Sequence, residues 1–120
     1  MRLTGIPIFA ALALAGCAVT GPAPAPTDFE AMSAASRESH CLGWIWIGNN
    51  VARARGEMSQ KELDESFIDL AHEILDKGDN HNYGADVRRF EAAVDAIAAS
   101  EPDEAEAQAA IGYCREYLRL

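Results

Sequence analysis

The sequence predicts an all-α fold, a small up-and-down bundle of about four helices stapled by one disulfide. Three observations lead there. Beyond residue 27 each long segment repeats its apolar residues at the period of an amphipathic helix, and no segment carries a sustained strand period with a partner to pair it. Capping residues, glycines and Pro102 punctuate these segments at short intervals, so connections of about four to eight residues favour antiparallel neighbours. Cys41 and Cys114 fall on the apolar stripes of the first and last segments, where a bridge would join the two ends of the bundle.

The first helix is expected within residues 28–55. Thr27 and Glu30 offer a capping box at its start, and Arg53, Arg55 and Gly56 offer a basic last turn and a stop. Its middle, "SHCLGWIWIGNN", alternates Leu42, Trp44 and Trp46 as a strand would. A lone strand leaves its backbone groups unpaired, so the helix is preferred, with Gly43 and Gly48 each costing up to about 1 kcal/mol. The second helix, residues 60–77, is the clearest: Ser59 with Glu62 forms a capping box, Leu63, Phe67, Leu70, Ala71 and Ile74 form one stripe, and Gly78 stops it. In the third, Val87, Phe90, Val94 and Ile97 recur at helical spacing before Pro102. In the fourth, Pro102 just inside the start is followed by a stripe of Ala107, Ile111, Cys114 and Leu118.

Helical placement assigns faces. At about 100° per residue, Cys41, Trp44, Ile45, Gly48 and Ala52 fall together, while Leu42, Trp46, Asn50 and Arg53 fall on nearly the opposite side. Two tryptophans two positions apart cannot share one face. Either the first helix is wrapped on both sides by the other three, or one tryptophan looks outward. The second option makes Leu42, Trp46, Asn50 and Arg53 a candidate partner-binding surface, because a Trp flanked by such residues has the composition of a binding hot spot.

The amino terminus carries an address. A single Arg2 precedes an uncharged run from Ile6 to Ala15, too short to span a membrane as a helix and laid out as a secretory signal. The run ends in Leu14-Ala15-Gly16-Cys17, which resembles the lipobox of bacterial lipoproteins. That resemblance, confined to the first twenty residues or so, implies removal of residues 1–16 as a signal peptide and acylation of Cys17. With Ala18 rather than Asp next, it also implies a place at the outer membrane, on its periplasmic face. More than one acyl chain is what makes such an anchor stable. Residues 17–27, with Pro22, Pro24 and Pro26 alternating with alanine, read as a polyproline tether of about 30 Å, and residues 28–120 as the helical domain.

Export decides the cysteine chemistry. With Cys17 used for lipid, Cys41 and Cys114 remain as a pair in an oxidising compartment, and a structural disulfide is expected. Loss of Arg2 with the signal takes the net charge from −9 to −10, a poor balance for holding nucleic acid. Asp69, His72, Glu73 and Asp76 share a helical face with His81 just beyond, but one exposed helix supplies no second shell for a metal, so the face is read as solvated. "DNHNYGAD", residues 79–86, fails as a calcium loop because Phe90 stands where a bidentate Glu is required. No nucleophile elbow, phosphate-cradling glycine loop or haem motif occurs, so neither a catalytic set nor a cofactor is expected.

The expectation is a lipid-anchored periplasmic module that binds another envelope or secreted protein, as an accessory, inhibitor or immunity-type factor. The alternative is a carrier of a small ligand or metal. A packed core with a surface Trp46 favours the first; an apolar pocket lined by Trp44 with convergent polar groups favours the second.

Overall fold

A computed structural model describes residues 25–120; the expected signal peptide (residues 1–16), Cys17 and the first part of the expected tether lie outside the described residues. A short 3-10 turn, Phe29–Ala31, leads into four helices: α1 (Ala34–Ala54), α2 (Gln60–Leu75), α3 (Tyr83–Ser100) and α4 (Glu104–Leu118). The fold is the all-α bundle that the apolar periodicity predicts.

The start of α1 is a correction. The box expected from Thr27 and Glu30 does not form; Asp28 precedes the 3-10 turn without a side-chain cap, and Ser33 is the true cap, its side chain accepting from the Ser36 amide. Phe29 is the reason. Its ring is buried and stacks on Tyr113 of α4 with centroids 4.2 Å apart, a contact made from the 3-10 turn ahead of the helix. Arg37 ties the turn down by donating from Nε to the Phe29 carbonyl at 2.9 Å.

α1 is the central element, touching α2, α3 and α4, whereas α2 and α3 also meet and α4 packs chiefly on α1. Five consecutive residues, Cys41 to Ile45, are buried, so this part of the helix has no solvent face. Gly43 and Gly48 are what let the neighbours approach. A Cβ on Gly43 would lie 3.3 Å from Ile97 Cδ1 on α3, and one on Gly48 only 2.7 Å from Ile111 Cδ1 on α4. The helical cost of each glycine is therefore offset by closer packing on two different sides.

Connectivity makes the bundle alternate in direction. α2 runs back along α1, with Gln60 beside Arg53 and Phe67 beside Trp46. α3 begins near the amino end of α1, where Lys77 bonds both Glu38 and Asp86, and α4 begins at its carboxyl end, where Arg55 pairs with Glu104 at 3.0 Å. The Cys41–Cys114 disulfide closes the α1–α4 pair, with Cα atoms 4.9 Å apart and both residues fully buried.

Helix ends follow local chemistry. The Ser59 and Glu62 capping box is present on α2, which stops two residues short of expectation because Asp76 leaves helical geometry before Gly78 at φ +92°. For α4 the cap is Asp103, in a reciprocal box with Glu106; Pro102 stands outside the helix rather than in its first turn. Two satisfied amides outweigh the preference of proline for that position. On α3 the buried line is Asp86, Ala93 and Ile97, while Val87 is 42% exposed, so the helix is rotated from its expected stripe.

Candidate functional site

The four residues expected to form one outward face of α1 part company. Leu42 is corrected to the core, 2% exposed, because α3 crosses that side of α1. Trp46 is half-buried, more open than Trp44 at 1%. Asn50, also half-buried, donates from Nδ2 back to the Trp46 carbonyl at 2.8 Å, and Arg53 is exposed, donating from Nε to Gln60 Oε1 at 3.3 Å. Both options posed by the tryptophan spacing thus hold in part: α1 is wrapped, and Trp46 still reaches the surface.

Around Trp46 the structure gathers an aromatic trio. Phe90 of α3 meets its ring edge-on at 6.1 Å between centroids, and Phe67 of α2 lies at 6.4 Å. Phe67 remains 36% exposed, and Ile68 on the same helix is 57% exposed. Sequence periodicity assigned Phe67 and Phe90 to core stripes and so missed them as surface partners of Trp46. Their position follows from three helices meeting edge to edge at this face, which no single helix encodes.

Trp44 turns the other way. Its Nε1 donates to the Pro26 carbonyl at 3.1 Å, fixing the segment ahead of the 3-10 turn against the bundle. It also lines a half-open groove of about 360 Å³ between α1 and α4, into which Asn49, Arg55 and Arg115 reach. On the far side of Asn49 a smaller cleft lies between α1, α2 and α4.

A charged cluster, which the sequence reading did not find, locks the α2–α3 connection. Asp86, its side chain 8% exposed, accepts from His81, Lys77 and Arg89, while Lys77 also pairs with Glu38 of α1. Burial pushes the Asp86 carboxyl up, but the hydrogen bonds from His81, Lys77 and Arg89 outweigh it and hold the group below the usual Asp range. Burial likewise opposes charge on Lys77, yet Glu38 and Asp86 hold its ammonium above its ordinary value. Tyr83 completes the knot, donating to the Gly78 carbonyl at 2.8 Å and accepting from the Lys77 amide at 3.2 Å. "DNHNYGAD" is therefore a structural latch. Its five titratable members come from three separate segments, so no spacing rule could join them.

On α2, Asp69, His72 and Asp76 are exposed and Glu73 is half-buried. Among the described residues no three His, Cys, Asp or Glu side chains are grouped to hold a metal, and no helix is long and apolar enough to cross a membrane. Cys17, the expected lipidation site, lies outside the described residues. No protein-family model, curated protein or solved structure matches the chain.

Proposed function

We propose that the protein is a lipid-anchored helical module on the periplasmic face of the bacterial outer membrane, held through an acylated Cys17, that binds another envelope or secreted protein as an accessory, inhibitor or immunity-type factor. The observation that carries this reading is the trio of Trp46, Phe67 and Phe90, half open to solvent, with Asn50 and Arg53 following Trp46 along α1. Tryptophan and arginine dominate the energetics of protein interfaces, and a rigid aromatic face with a polar margin has the anatomy of a hot spot. The lipobox-type segment supports the anchor, and a buried disulfide suits an exported chain.

Two experiments test it. A photo-crosslinking residue at position 67 in intact cells should give an adduct with one envelope or secreted protein, lost when Trp46→Ala is added; the same probe at position 105 on α4 should give none. Equal adducts from both positions, or none from position 67, would refute the binding face. Mass spectrometry of the mature amino terminus should find acyl chains on Cys17, and a chain recovered without them refutes the anchor.

A further inference from the structure

The cleft between α1, α2 and α4, about 180 Å³, is floored by Ile45 and Leu70 and walled by Asn49, Ser66, Asp69, Arg115 and Leu120. Asn49 is 4% exposed. Its Oδ1 accepts one long hydrogen bond, 3.4 Å, from Arg115, and among the described residues its Nδ2 has no partner. A buried amide donor with no partner among the protein groups is uncommon. Arg115 and Asp69 sharpen the point. Among the described residues the Arg115 guanidinium pairs with no carboxylate, in a chain with 19 acidic residues, and the Asp69 carboxylate pairs with no cation. Opposite charges thus line one small cleft without neutralising each other.

We propose that this cleft binds a small zwitterion of the α-amino-acid class. Its carboxylate is received by the Arg115 guanidinium and by Asn49 Nδ2, its ammonium by Asp69, and its side chain by Ile45 and Leu70. Arginine presents parallel donors that match a carboxylate, which a point charge would not do as well. The small volume selects a short apolar side chain, and the single Asp69 selects a ligand with one positive group. The site is separate from the Trp46 face and does not depend on it.

The test is a titration of the full ¹⁵N-labelled chain in detergent micelles with L-valine, glycine, isobutyrate and isobutylamine. L-Valine at millimolar concentration should shift the Asn49 side-chain amide pair and the Arg115 Nε–H signal, with glycine weaker and both single-charge analogues weaker still. Arg115→Gln, an exposed position whose change leaves the core intact, should weaken L-valine at least about tenfold. Asp69→Asn should weaken L-valine to a similar degree and leave isobutyrate unchanged. The proposal is overturned if millimolar L-valine moves neither signal, or if Arg115→Gln binds it as well as the unaltered chain. It is also overturned if isobutyrate matches L-valine and Asp69→Asn changes nothing, because the cleft is then a plain anion site.

Discussion

Breaking the Cys41–Cys114 bridge should remove a large share of the stability of this domain. The bond spans 73 residues, and both cysteines are fully buried, so the loop it closes contains most of α1 and α4 and all of α2 and α3. In the chain-entropy treatment, closing a loop of that length restrains the unfolded chain by about 4.4 kcal/mol at 25 °C. A domain of this size loses about 4–8 °C of Tm per kcal/mol, so the melting midpoint should fall by about 18–35 °C. The cleanest assay unfolds the unaltered chain in denaturant with a reductant, refolds it with the thiols free, and compares circular-dichroism melts of the two forms. Thiol counting on the same samples should give two more free thiols after reduction. A Cys41→Ala/Cys114→Ala chain gives an independent arm, although it also deletes two buried sulfur atoms. If the reduced chain melts within a few degrees of the oxidised one, the bridge restrains little that the packing of α1 on α4 does not already restrain, and the entropic reasoning fails.

Other outcomes follow from the same packing. Trp44→Ala should cost about 3–5 kcal/mol as a full core deletion, whereas Trp46→Ala should cost about 1–2 kcal/mol because only part of its ring leaves water; chemical-denaturation midpoints separate the two. Asp86 has a folded pKa below its unfolded value of about 3.9, so its contribution is complete above that pH and is lost as pH falls through the folded pKa. Asp86→Asn should therefore be less stable at neutral pH and should flatten the acid limb of a stability-against-pH curve; an unchanged acid limb refutes the role given to the latch. Gly48→Val should push Ile111 aside at a cost of about 1–3 kcal/mol, and a smaller residue at Ile111 should recover part of it in thermal melts.

How much of this was legible in the chain differs by element. The Ser59 and Glu62 box, the α4 stripe and the cysteine pairing were readable because each depends on spacing within one helix or on two residues of one kind. At α1, Thr27 and Glu30 had the right letters, but the burial of Phe29 on Tyr113 decided the path, and that contact spans 84 positions. Leu42 was misplaced for a related reason: helical angle gives relative directions around α1 but not how many neighbours surround it. On α3, Asp86 is a carboxylate and Ala93 reads no differently from the exposed Ala92 and Ala96 beside it, so the stripe was drawn through Val87 instead. Asn49 and Arg115 lie on different helices, and a buried amide reads in sequence like any turn-forming asparagine.

The position of the bridge also governs how the molecule responds to load. Pulled between residues 25 and 120, tension passes down the chain to Cys41, crosses the sulfur atoms and leaves through Cys114, bypassing everything between them. Among the described residues only 25–41 and 114–120 can then be drawn out, a contour of about 80 Å, where the reduced chain offers a contour of about 340 Å. The helices that carry Phe67 and Phe90 lie wholly inside the bypassed loop. A tug on the amino-terminal end would therefore peel the 3-10 turn and the first two turns of α1 while α2 and α3 stay off the line of force.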